Sequence, residues 1–150
     1  MPKSSETPPI STARPLPCAC NALRRSGRAL SRFYDEALAE TGLRVTQYSL
    51  LSTLSRSGPA PLTALAEELV MDRTTLSRNL MPLERAGLVV LASGRDRRTR
   101  YAHLTAEGER RLAEARPYWL AAQEQVTERF GRERLKALVA ELTAIVGVAQ

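Results

Sequence analysis

Histidine is almost absent from this 150-residue chain and cysteine is scarce: His103 stands alone, and Cys18 and Cys20 are the two thiols. Two thiols and one imidazole fall short of a structural zinc set. The single residue between the cysteines argues against a disulfide within the chain, because side chains so close in sequence rarely reach the required geometry. No run approaches the roughly 20 apolar residues that span a bilayer. The opening stretch, MPKSSETPPISTARPLP, lacks the apolar core of a secretory signal. The expectation is a cytoplasmic protein without membrane contact. A glycine-rich phosphate loop, a nucleophile beside a plausible base and a carboxylate pair beyond ordinary helix-surface charge are all missing, so neither an enzyme nor a metal or cofactor is expected.

What is present fits one domain with a real core: 43% of residues are hydrophobic and 25% charged. The formal charge of +6 points to an acidic partner, either nucleic acid or an anionic surface. Residues 1–17 hold five of the nine prolines and are expected to form a flexible tail, leaving 18–150 as the folded unit. From Cys18 to about Thr41, Leu23, Leu30, Phe33, Tyr34, Ala37 and Leu38 recur at helical spacing, and Gly42 ends the pattern. A second helix is predicted over Thr46–Arg56, stopped by Ser57-Gly58-Pro59, and a short third over Leu62–Leu69.

A fourth helix starts at Asp72, a good N-cap, and runs to about Ala86, where Gly87 follows. Leu88–Leu91 and Arg100–Leu104 have strand character and flank a charged loop, so they predict a β-hairpin with a basic tip. Thr105 can cap a long helix reaching Phe130, which Pro117 should kink or interrupt near Arg116. A last helix is predicted over Glu133–Val148. The fold class is mainly α with a small β-hairpin wing.

The charge is unevenly placed. Between Arg73 and Arg100, seven arginines face only Glu84 and Asp96, a net of +5, while the two C-terminal helices balance to zero. Clustered arginine gives phosphate affinity because each neutralised phosphate releases condensed counterions. Two helices joined by a tight Val70-Met71-Asp72 link, the second exposing Arg73, Thr74, Thr75, Ser77 and Arg78, suit a recognition helix whose N-terminal side chains reach base edges. The hairpin tip, Arg95, Asp96, Arg97 and Arg98, can reach an adjacent minor groove. The partner implied is double-stranded DNA. The competing reading, a winged-helix module that binds protein, predicts a neutral or apolar exposed face on the fourth helix.

These stretches resemble the MarR family of winged helix-turn-helix regulators. The resemblance is carried by Leu65-Ala66-Glu67-Glu68-Leu69, Asp72-Arg73-Thr74-Thr75-Leu76-Ser77-Arg78, Leu83-Glu84-Arg85-Ala86-Gly87-Leu88-Val89, and Asp96-Arg97-Arg98 leading to Leu104-Thr105. It implies a homodimer held by residues 18–45 and 106–150, with 46–105 as the winged lobe on a pseudo-palindromic operator. It also implies repression, with Arg98 in the minor groove and Asp96 bonded to it. Two positions depart from the family pattern: Val70 stands where glycine is frequent in the turn, and Pro82 removes a backbone donor from the recognition helix, where bending is expected.

The resemblance further implies an effector, often an aromatic carboxylate, between the dimerisation helices and the DNA-binding lobe. Arg24, Arg25 and Arg28 would answer a carboxylate, and Tyr34 and Tyr48 a ring. The alternative is that the tyrosines pack the core or dimer and the arginines are solvated. Cys18 and Cys20 offer a rival trigger through oxidation, since a helix start near Arg24 and Arg25 favours thiolate; their alternative is packing. His103 is expected to be structural or phosphate-facing, and Trp119 with Tyr118 to pack a dimer.

Overall fold

The computed structural model describes residues 16–96 and 98–149. The predicted tail therefore lies, for residues 1–15, outside the described residues, as does Arg97.

Helix α1 runs Ala19–Leu38. Cys18 caps it, its Sγ accepting from the Asn21 N–H at 3.5 Å. The helix stops three residues short of Thr41, because Ala39–Thr41 tightens into a 3-10 turn. The Thr41 hydroxyl donates to the Leu38 carbonyl, and Gly42 turns the chain at φ 71°. From Leu16 to Leu30 every side chain of this segment is exposed.

Helix α2 spans Val45–Ser57. Its start is tied to α1 by Asp35, whose Oδ1 accepts from the Val45 N–H at 2.7 Å. Gln47 accepts in turn from the Arg44 N–H at 2.9 Å. A two-residue strand β1, Ala60–Pro61, leads into α3, Leu62–Glu68. The strand carries no pattern of its own. It forms because Ala60 and Pro61 pair antiparallel with Ala102 and Tyr101, a contact only tertiary structure supplies.

Helix α4, Arg73–Arg85, is followed by β2, Val89–Ser93, and β3, Arg100–Leu104. The sheet order is β1-β3-β2, all antiparallel, with Val89 opposite Leu104 and Ser93 opposite Arg100. Helix α5 covers Ala106–Phe130 and α6 Arg132–Ala149. Thr105 caps α5, its Oγ1 accepting from the Gly108 N–H at 3.0 Å and donating to the Gly87 carbonyl at 2.7 Å.

Pro117 does not interrupt α5, nor does Pro82 interrupt α4. In each case the ring costs one main-chain donor, and the surrounding turns carry the helix through it. The core sits inside the winged lobe, where Leu51, Leu54, Leu65, Leu76, Leu80 and Leu83 are almost fully buried. Arg111 joins α5 to the end of α1 by donating to the Thr41 carbonyl at 2.7 Å. By contrast, among the described side chains of α6 none is buried, and Leu138, Val139, Ile145 and Val146 stand at 38–54% exposure.

Candidate nucleic-acid interface

The helical period of α4 divides it into two faces. Leu76, Leu80 and Leu83 point into the core, so Arg73, Thr74, Ser77 and Arg78 are held outward. Asp72 anchors the first turn through two acceptor bonds from Thr75, to its N–H at 2.8 Å and its hydroxyl at 2.6 Å. The hydroxyl bond first, then the amide bonds, hold the Asp72 carboxyl below the usual carboxylate range. Thr75 thus has its hydroxyl proton committed to the cap, and the face available for a partner is carried by its neighbours.

The turn before α4 closes the end of α3 with paired bonds. The Val70 N–H donates to the Glu67 carbonyl at 3.1 Å and the Met71 N–H to the Ala66 carbonyl at 2.8 Å. Val70 adopts φ 52°, the left-handed conformation that glycine takes most readily. The departure from glycine therefore leaves the turn geometry intact at a cost in strain.

At the wing tip the Gly94 N–H donates to the Thr99 carbonyl at 2.7 Å. Asp96 accepts from the Thr99 N–H at 3.0 Å, the Thr99 hydroxyl at 2.8 Å and the Arg98 N–H at 3.2 Å. These bonds, the Thr99 amide foremost, pull the Asp96 carboxyl below its usual range. Asp96 thus meets the main chain of Arg98, and directs that residue through the backbone of the turn.

Among the described residues, Arg73, Arg78, Arg85, Arg95, Arg98 and Arg100 have no carboxylate within 4.0 Å, whereas Arg56, Arg110 and Arg132 are paired. The arginines of α4 and the wing keep their charge for an external anion. His103 lies on β3 opposite Val90, half-buried.

The five effector candidates are not brought together. Arg24 and Arg28 line an open groove of about 980 Å³ beside Arg32, Asp35, Glu36 and Arg44, a lining that does not include Arg25. Tyr34 and Tyr48 instead sandwich Trp119, with ring centroids 6.4 and 5.6 Å away, so that Trp119 packs within its own chain. Burial raises the pKa of both phenols, and nearby Arg116 partly opposes this at Tyr48. Tyr34 donates to Gln123 at 2.5 Å. Tyr118 lies on the surface, its hydroxyl donating to Glu40 at 3.2 Å. Tyr48 also borders a cavity of about 510 Å³ with Ser52, Arg56 and Arg116. Cys18 and Cys20 are free and exposed. Arg56 follows Tyr48 and Ser52 on α2 at helical spacing and was open to sequence reasoning, whereas Arg116 meets Tyr48 only across the fold.

A winged helix-turn-helix with unpaired arginines on its second helix and wing is a DNA-binding arrangement, and comparison with known proteins agrees. The MarR family profile matches residues 41–99. The HTH-type transcriptional regulator FarR of Neisseria gonorrhoeae is 32% identical over 127 residues, covering 82% of this chain and 87% of FarR. The chain belongs to the MarR family.

Among solved structures, the M. tuberculosis transcriptional regulator MosR in complex with DNA superposes with a TM-score of 0.79 at 36% identity, covering 89% of this chain and 99% of MosR. The transcriptional repressor CouR bound to a 23-mer DNA duplex gives 0.77 at 27% identity, covering 86% and 92%. CouR bound to p-coumaroyl-CoA gives 0.76 at 25%, covering 86% and 91%. The protein is accordingly a MarR-type DNA-binding transcription regulator and not an enzyme. Among its described residues no helix is long and apolar enough to cross a membrane.

Proposed function

We propose that this MarR protein is a cytoplasmic, homodimeric repressor that holds an operator with two α4 helices and two wings and leaves it when an effector binds or a thiol is modified. The observation that carries the DNA reading is that, among the described residues, the arginines of α4 and the wing have no carboxylate partner. Arg73, Thr74, Thr75, Ser77 and Arg78 read or flank bases, and Arg95, Asp96, Arg97 and Arg98 form the wing contact. Residues 46–105 form the DNA-binding lobe. Residues 18–45 and 106–150 form the dimer, which covers the apolar side chains left open on α1 and α6. Two copies supply the two-fold arrangement that a pseudo-palindromic site requires.

Two triggers are supported by separate observations. The cavity beside Tyr48, whose wall carries Arg116, Glu109 and the Glu68-paired Arg56, offers one seat for an aromatic ligand, and CouR is a relative with bound p-coumaroyl-CoA. The arginine-lined groove holding Arg24 and Arg28, with Arg25 and Tyr34 on the same helix, offers a second seat for such a ligand. The exposed thiols of Cys18 and Cys20 at the start of α1 suit oxidation. Either event releases DNA only by favouring a state that binds it less well.

The test is a gel shift on the operator with Arg98→Ala beside wild type, and sedimentation of both. A large loss of affinity with an unchanged dimer is expected; unchanged affinity removes the wing from the mechanism. A protein-docking module would show little salt dependence, whereas DNA binding weakens steeply as salt rises. Peroxide treatment of wild type, Cys18→Ser and Cys20→Ser, set against an aromatic-acid screen, separates the triggers.

A further inference from the structure

A cleft of about 260 Å³ lies between the start of α2 and the middle of α4, lined by Arg44, Thr46, Gln47, Arg78, Asn79 and Pro82. Two arginines from elements more than thirty residues apart in sequence line one opening, and neither is buried. We propose that this cleft seats one phosphodiester of the DNA backbone, held by Arg44 together with Arg78, and that Arg44 is therefore a DNA-contacting residue outside the helix-turn-helix and the wing. The inference rests on the DNA-binding reading above.

Helical spacing supports the placement. On α4, Asn79 and Pro82 lie on the flank towards α2 and Arg73 and Ser77 on the other, with the leucines behind and Arg78 near the middle of the exposed face, bordering the α2 flank. A helix is about as wide as the major groove it enters, so its flanks run beside the two phosphate backbones. The α2 flank is the one that would otherwise meet a backbone with Arg78 as its nearest cation.

Arg44 is prepared for this role. Its main-chain N–H is fixed by Gln47 at 2.9 Å, which sets the direction in which the side chain leaves α2. Its guanidinium touches Asp35 at 3.5 Å while remaining 77% exposed, a weak surface pair that a phosphate can displace. Asn79 is steadied by donating to the Met71 sulfur at 3.6 Å. Arginine suits the seat because its planar fork can hold two phosphate oxygens at once.

The experiment measures the affinity of full-length protein for the operator duplex and for an unrelated duplex across a salt series. Arg44→Ala is expected to weaken both duplexes alike, roughly tenfold at moderate salt, and to flatten the salt slope by about one unit per bound protomer. Arg44→Lys keeps the charge and is expected to keep the slope while losing part of the affinity. Arg110→Ala, which removes an arginine already paired with Glu107 and Glu114, is expected to leave the slope as in wild type. An Arg44→Ala protein with the wild-type slope overturns the seat while leaving DNA binding intact. So does a loss confined to the operator, since a backbone contact carries no sequence information. A wild-type protein that binds neither duplex overturns the DNA-binding reading and the seat with it.

Discussion

Val70 and Gly87 occupy the same place at the ends of two successive helices, α3 and α4. In each, the residue adopts positive φ, 52° and 70°, and donates to the carbonyl three residues back. The next residue closes the turn by donating five back, Met71 to Ala66 at 2.8 Å and Leu88 to Leu83 at 2.9 Å. Glycine does this without steric cost, whereas a β-branched side chain there is strained by about 1–2 kcal/mol. Glycine also adds freedom to the unfolded chain, which offsets part of the relief. Val70→Gly is therefore expected to stabilise the fold by a net of roughly 0.5–1 kcal/mol. Urea denaturation checks the sign; a lower midpoint would show that the valine methyls contribute more than the strain removes.

Asp72 and Asp96 each accept the amide and hydroxyl of a threonine three residues on, one at the head of α4 and one at the wing tip. Both carboxyls titrate below the ordinary aspartate value of 3.8. Because these bonds favour the charged form, they support the fold at every pH above that value and are lost as pH falls through the lower, folded pKa. The recognition turn and wing tip are thus insensitive to pH near neutrality and loosen only under strong acid. Carboxylate resonances followed by NMR should give both midpoints below 3.8; a midpoint at or above it at either residue would mean that its threonine bonds are not held in solution.

Gly108 lies in the first turn of α5 against the start of β2, and a Cβ there would sit 2.1 Å from the Leu88 carbonyl oxygen and 2.7 Å from Leu104 Cδ1. The nearest obstacle is backbone, which cannot swing aside. Gly108→Ala is expected to destabilise by about 3 kcal/mol through overpacking. A change under about 1 kcal/mol in equilibrium unfolding would show that α5 can slide along the sheet.

Leu138, Leu142 and Ile145 share one stripe of α6, and none is buried in the single chain. Covered by a second copy, that stripe would carry much of the dimer. The double change Leu138→Glu and Ile145→Glu is expected to give a folded monomer with greatly weakened operator binding. Sedimentation equilibrium reads the first and gel shift the second; a dimer that survives both charges places the interface elsewhere.

The helices of the winged lobe were legible because each carries its own period and its own stop: Asp72 before α4, Gly87 after it, Thr105 before α5. The basic wing was legible too, since Arg95, Asp96, Arg97 and Arg98 are neighbours in sequence. Strand β1 was not, because two residues have no period and Ala60-Pro61 becomes a strand only by lying beside β3. An end to the helix at Pro117 is not realised. Pro117 removes one donor, but α5 is 25 residues long and packs against α1 and α2, so the loss of one bond does not end it.

By itself, the order of residues determined the helices, the hairpin strands, the winged helix-turn-helix and the concentration of arginine on its exposed surface, because period, caps and charge clusters are local properties. Tertiary structure alone decided which distant side chains meet. It set Trp119 between Tyr34 and Tyr48, opened a cavity where Tyr48 faces Arg116, and brought Arg44 to the flank of α4 beside Arg78. Those contacts depend on the crossing of whole helices, which the buried leucines impose and no short stretch of sequence encodes.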